Sequence, residues 1–248
     1  MAELYDGEFG LARQVLYANF VMSLDGVTAV DPDASGQGGL ISGGLPADRF
    51  LMGLLRAFAD VVLVGAGTLR AEASHLWTAG RVYPPCADAF RTLREYLGRV
   101  PDAPLAVVTG SGEVDPSLPA LAGGLILTTA GGAARLAGRA PAGVRVIPLG
   151  DGERIAAAAA VGALRDAGFG SILTEGGPHL FGQLLSARLV DELFLTVAPV
   201  LAGRERGSAQ IGLVEGASLL PGTDIRGRLV SARRAGSHLF LRYDVRQL

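Results

Sequence analysis

Apolar residues run through this chain in two alternating rhythms. Short unbroken apolar runs read as strands at residues 15–24, 60–65, 105–109, 124–129, 144–149, 171–174 and 191–201. Between them, apolar positions return every three or four residues, as a helix with one buried face requires. In 46–59 these are Phe50, Leu51, Leu54, Leu55 and Phe58, with a proline at the start. Residues 87–97, 178–188 and the alanine-rich 153–167 also read as helices, and 133–136 as one helical turn. Such alternation predicts an α/β fold: a largely parallel sheet with helices on both faces, hence three layers. The end of the chain breaks the rhythm. Residues 228–234 and 238–245 are strand-like and joined by Ala235-Gly236-Ser237, an antiparallel hairpin that makes the sheet mixed. Residues 204–224, rich in Gly and Ser, read as a long loop. No repeat or low-complexity linker intervenes, so 1–248 is expected to be one domain, with 1–13 a peripheral extension.

Composition excludes several functions. The chain is 49% hydrophobic and 19% charged, the balance of a folded protein and not a disordered one. Its net charge is −2 with no dense basic run, which argues against nucleic-acid binding. No apolar stretch approaches the roughly 20 residues of a membrane helix. The acidic first residues lack a leader pattern, so a cytoplasmic location is expected. All 22 basic residues are arginine. Schiff-base lysine chemistry and the phosphate lysine of a P-loop are therefore excluded. The single cysteine, Cys86, cannot form an intrachain disulfide, and His75, His179 and His238 are far apart in sequence, so no metal site is expected.

Three segments carry candidate chemistry. Thr174-Glu175-Gly176-Gly177-Pro178 ends a strand and opens a helix. Its glycines let a ligand approach bare backbone, the helix start offers free N–H groups to phosphate, and Pro178 suits the first turn. Gly65-Ala66-Gly67-Thr68-Leu69-Arg70 also follows a buried strand. It begins like a dinucleotide fingerprint, but Arg70 stands at the third glycine position and no acidic strand end follows about 20 residues later. It reads equally as a phosphate loop or as a plain strand-to-helix turn with a solvated arginine. Ser23-Leu24-Asp25-Gly26 ends the first strand, where α/β sheets collect ligands; taken alone it is more simply an Asp-Gly turn. Arg56, on an otherwise apolar helix face, is either a phosphate ligand or a snorkelling surface residue.

These segments, with Leu40-Ile41-Ser42, Leu55-Arg56-Ala57, Leu189-Val190-Asp191-Glu192-Leu193 and Ala198-Pro199-Val200-Leu201-Ala202-Gly203, occur in an order and spacing that closely resembles one family. It is the reductase domain of the riboflavin-biosynthesis deaminase-reductase, in stand-alone form, over about residues 15–245. The resemblance implies a dihydrofolate-reductase-like fold, usually a homodimer, with NADPH as hydride donor. It implies a ribosylamino-pyrimidine 5′-phosphate as substrate, its ribose reduced to ribitol. By position, Val21, Leu40, Gly67, Thr68, Glu72 and Ser111 would contact the cofactor. Gly176, Gly177, Pro178, His179, Leu180, Phe181 and Gly182 would hold its phosphates at the helix start. Asp25, Arg56, Leu76, Arg81 and Glu175 would face the substrate, with Asp25 or water supplying a proton. This chain departs from the family mostly on the substrate side. Glu72 replaces a frequent Asp, Gly38 a serine, and Arg81 lies two residues beyond the usual arginine. Reduction of a pterin such as dihydrofolate is the alternative on the same fold, and a nucleotide-binding protein without turnover is the alternative of another class.

Overall fold

The computed structural model describes residues 9–31, 33–205, 207–222 and 224–246. Its strands are β1 (Val15–Met22), β2 (Val27–Ala29), β3 (Val61–Gly65), β4 (Leu105–Thr109), β5 (Leu125–Thr128), β6 (Arg145–Pro148), β7 (Ser171–Thr174), β8 (Glu192–Val197), β9 (Ile211–Gly212), β10 (Arg228–Ala235) and β11 (His238–Asp244). The helices are α1 (Gln37–Ser42), α2 (Pro46–Phe58), α3 (Ala66–Ala71), α4 (Ala79–Val82), α5 (Ala87–Tyr96), α6 (Ala130–Leu136), α7 (Ala157–Asp166) and α8 (Pro178–Ser186). Nine strands form one sheet in the order β10-β11-β8-β1-β7-β3-β4-β5-β6. Every pairing from β8 to β6 is parallel, and β11 runs antiparallel to both β8 and β10. The expected mixed sheet with a C-terminal hairpin is thus observed. The sequence reading did not foresee β2, β9, α1, α3 or α4, because two- to six-residue elements leave no legible period.

β3 shows why the central strands are apolar throughout. Val61 and Leu63 pack into one core layer with α7 and α8, while Val62 and Val64 pack into the other with α2. A strand buried on both faces has no polar side to alternate with. The segment before β1 is not wholly peripheral. Phe9 stacks 4.9 Å from Phe58 and 5.8 Å from Phe194, and the Arg242 guanidinium lies over its ring. Residues 1–8 lie outside the described residues.

α2 begins with Pro46 in its first turn, and a buried arginine secures its end. Arg94 of α5, 1% exposed, donates from Nη1 to the carbonyls of Arg56, Ala57 and Ala59. Carbonyls at a helix end run short of helical donors (that of Arg56 receives only the capping Ala59 N–H, at 3.2 Å), and an arginine fork is a charge-assisted substitute. This anchorage matters for function because Arg56 lies in the turn so fixed.

Candidate active site

The carboxyl ends of β1, β3, β4 and β7 open on a cleft of about 1240 Å³, where parallel sheets place their ligands. Backbone builds one end of it. Gly65 leads into α3 and Gly67 lies in its first turn, Gly176 and Gly177 lead into α8, and Gly110 follows β4. The two glycines before α8 are needed for different reasons. A Cβ on Gly176 would lie 2.4 Å from Val64 Cα, so this residue lets the loop lie against β3. Gly177 has φ +63°, and a Cβ there would stand 2.8 Å from Thr68 Oγ1, across the cleft wall. Pro178 has no N–H, and the Phe181 N–H already bonds to the Gly177 carbonyl. The N–H groups left outside the helical ladder are those of His179 and Leu180. Glu72 also lines the cleft and accepts the Gly36 N–H at 2.5 Å, tying the loop before α1 to the end of α3.

Buried side chains build the other end. Arg56 and Glu175, 3% and 7% exposed, form a fork. Arg56 Nη2 is 2.7 Å from Glu175 Oε2, with Nε at 3.0 Å from the same oxygen. Asn19 of β1 donates to Glu175 Oε1 at 3.3 Å. Arg56 Nη1 meets His75 Nε2 at 3.1 Å. Burial, and then the Arg56 charge, push His75 down to about 4. A neutral ring accepting through Nε2 carries its proton on Nδ1. Trp77 holds that ring edge-on at 4.8 Å. The network is internally satisfied, as buried charge requires.

Of the residues carried over from the family, Val21, Gly67, Thr68, Glu72, Gly176, Gly177, Pro178, His179 and Leu180 line the cleft, as do Arg56, Leu76, Arg81 and Glu175. Five do not. Asp25 is exposed and sits in the turn after β1, where it accepts from Ser23 Oγ at 2.6 Å and from the N–H groups of Ala202 at 3.0 Å and Gly203 at 2.7 Å. Those donors, the Ser23 hydroxyl first, hold its carboxyl down at about 2. It pins the 202–203 backbone, the geometry of an Asp-Gly turn. Leu40 is 63% exposed on α1. Ser111 is exposed and closes a local turn by accepting the Glu113 N–H; its neighbour Gly110 lines the cleft instead. Phe181 is buried against Phe20, with ring centres 4.7 Å apart. Gly182 faces away, where a Cβ would meet the Glu215 carbonyl at 2.5 Å. Both sit past the first exposed turn of α8, on its core side.

Sequence reasoning missed Asn19, Asp48, Met52, His75 and Trp77, all of which line the cleft. One signal was available: Asp48, Met52 and Arg56 are four residues apart, so they fall on one helix face. Among the described residues no three His, Cys, Asp or Glu side chains gather as a metal site, and no helix is long and apolar enough to cross a membrane.

The model of one protein family, the RibD C-terminal domain, matches residues 14–241. The chain belongs to that family. Members of the RibD C-terminal family are reductases that use a nicotinamide cofactor, and the family substrate is a phosphorylated pyrimidine. Among solved structures, a pyrimidine reductase-like protein from Corynebacterium diphtheriae superposes with a TM-score of 0.71 at 24% identity, over 95% of this chain and 93% of that one. The riboflavin biosynthesis reductase of Saccharomyces cerevisiae gives 0.63 at 13%, over 97% and 94%. A bifunctional diaminohydroxyphosphoribosylaminopyrimidine deaminase and 5-amino-6-(5-phosphoribosylamino)uracil reductase from Thermotoga maritima gives 0.66 at 19%. The match covers 94% of this chain but 57% of that enzyme, so the chain spans little more than half its length. At these identities the likeness is one of fold. No curated protein matches the chain.

Proposed function

We propose that this protein is an NADPH-dependent reductase of a ribosylamino-pyrimidine 5′-phosphate, acting in riboflavin biosynthesis, with 1–248 as one reductase domain. The observation that carries this reading is the cleft's division into a glycine-built end and a buried Arg56–Glu175 end, in a member of a reductase family. The glycine end fits a dinucleotide. Gly177 leaves open the space that a Cβ would fill, and the His179 and Leu180 N–H groups are available to a diphosphate. NADPH, when bound, supplies the hydride, and delivery to C1 of the opened aminosugar completes the reduction.

The chain's own residues bind and orient the reactants, which is where most of the rate enhancement in such a transfer arises. Arg56 holds the Glu175 carboxylate at the substrate end, and Asn19 and His75 fix that pair from either side. Because Glu175 occupies Arg56, the substrate phosphate falls to other cations. Arg49 and Arg81 line the cleft and have no carboxylate partner among the described residues. Asp25 is outside the cleft, so solvent supplies the balancing proton. The edge strand β10 exposes Leu229 and Val230 among its arginines, and we assign the homodimer contact to this surface, since an edge strand leaves backbone groups open to a partner.

The deciding experiment is NADPH oxidation by the purified protein against ribosylamino-pyrimidine phosphates and dihydropterins. Turnover of a ribosylamino-pyrimidine supports the proposal. Turnover of dihydrofolate alone moves the assignment to the pterin reading, and NADPH binding without oxidation moves it to a non-catalytic role.

A further inference from the structure

His75 lies between α3 and α4, half-buried on the cleft wall, and its ring is braced on two sides. Arg56 Nη1 meets Nε2 at 3.1 Å, and Trp77, 5% exposed, stands edge-on to the ring. A guanidinium has donors only, so Nε2 must accept, and the single ring proton sits on Nδ1. Burial, then the Arg56 charge and, more weakly, that of Arg81 oppose a second proton, and only Glu175 favours one. The ring is thus an uncharged donor through Nδ1–H. Nδ1 makes no hydrogen bond among the described residues, and it is not one of the fully buried atoms left without a partner. On a residue that lines the cleft, it therefore opens on the cleft. A fixed, unpaired donor facing a cavity calls for an acceptor on the ligand.

Two cations mark what that acceptor is. Arg81 of α4 lies close enough for its charge to act on the His75 ring. Arg49 of α2 donates from Nε to the carbonyl of Val82, the neighbour of Arg81. Both line the cleft with His75. We propose that His75 is a ligand of the substrate phosphate, donating Nδ1–H to one of its oxygens while Arg49 and Arg81 supply the charge. The two arginines are exposed, so they attract an anion without fixing its position; a braced, half-buried ring supplies the direction. A phosphate beside an imidazole ordinarily draws a second proton onto the ring. Here that proton would have to displace the Arg56 contact at Nε2, so the ring binds the phosphate as a neutral donor. This inference rests on the reductase reading of the same cleft and adds a residue to it, since His75 then touches substrate besides bracing Arg56.

Proton–nitrogen correlation spectra of the isotope-labelled protein at neutral pH test the inference without turnover, because they separate the two neutral tautomers and the imidazolium. Three histidines contribute, and His75 is assigned by its disappearance in His75→Gln. Should that variant not fold, the nuclear Overhauser contact with Trp77, the single tryptophan, assigns it in the wild type. The free protein should show the Nδ1–H tautomer. Saturating ribose 5-phosphate should move that proton's resonance downfield with no second proton taken up, and unphosphorylated ribose should leave it in place. In calorimetry His75→Gln, which keeps an acceptor for Arg56 but not the Nδ1 donor, should bind ribose 5-phosphate about tenfold more weakly, the scale of a hydrogen bond to a charged group. An Nε2–H tautomer, an imidazolium, a resonance that ribose 5-phosphate leaves unmoved or that ribose moves as far, or unchanged affinity in His75→Gln overturns the inference. If the contact holds but no substrate oxidises NADPH, the phosphate site stands and the reductase reading falls. If turnover occurs with the His75 resonance unmoved, the reductase reading stands and this inference falls.

Discussion

The two ends of the cleft are made of different material. At the end proposed for the cofactor the cleft presents backbone N–H and the absence of side chains, at Gly65, Gly67, Gly176 and Gly177. At the end proposed for the substrate it presents ionised and polar side chains from four separated segments: Asn19, Arg56, His75 and Glu175. A backbone site is written in consecutive residues, because neighbouring peptides are already in place. A side-chain site is assembled across the sheet, and its members need share nothing in sequence. The first should fail on a Cβ added at Gly176 or Gly177, where no room exists for one. The second should fail when one partner of a matched set is removed.

The largest effect is expected at the substrate end. Glu175→Ala leaves the Arg56 guanidinium buried without its partner, and loss of one member of a buried pair costs about 3–5 kcal/mol. Urea unfolding should show that loss, and activity should vanish with it. A variant as stable as the wild type would mean that Arg56 reaches water and the end is not a closed network. Next, Gly177→Asp should weaken NADPH binding by about a hundredfold or more, from a side chain in the cradle and a charge facing phosphate, and the strained backbone should cost about 1–3 kcal/mol of stability besides. Intact NADPH affinity in that variant would break the comparison at the cofactor end.

A smaller effect follows from His75. Its ring proton is lost at about 4 in the folded protein against 6.5 in the free side chain. The unfolded chain therefore binds more protons in that window, and stability falls as pH drops from 6.5 towards 4. His75→Gln, which retains an acceptor for Arg56, should flatten that part of the stability profile when denaturation is repeated across pH. The smallest effect is expected at Asp25. Asp25→Asn should leave kcat within about twofold, since the residue is outside the cleft. A loss of two or more orders of magnitude would return Asp25 to the chemistry.

Much of this protein was legible in its sequence, and the division follows the two materials. The apolar runs predicted β1, β3, β4, β5, β7 and β8, because strands buried on both faces admit almost no polar residue, and the more exposed β6 and hairpin were read from strand-like runs. The glycine pair before α8 and Thr68 were readable as a cradle, because a turn that tolerates φ > 0 and close approach must be glycine. Glu175 and Arg56 were named from the family resemblance, but their mutual fork was not, since 119 residues separate them.

Only the tertiary structure decided the rest. Asp25 and Asp48 are both short acids near the sheet's carboxyl edge, and the family resemblance named the former, although its own segment reads more simply as an Asp-Gly turn. The fold gives Asp25 two backbone N–H groups at the surface and buries Asp48 against Thr196 and Ser42. Phe181 and Gly182 follow the cradle in sequence, but a helix turns 100° per residue and carries them to the core side. Local pattern determined which segments become strands, helices and phosphate-sized gaps, because those depend on neighbouring residues alone. Which charges meet, and which acids are buried along the cleft, depended on strand order and helix rotation, which only the packed chain sets.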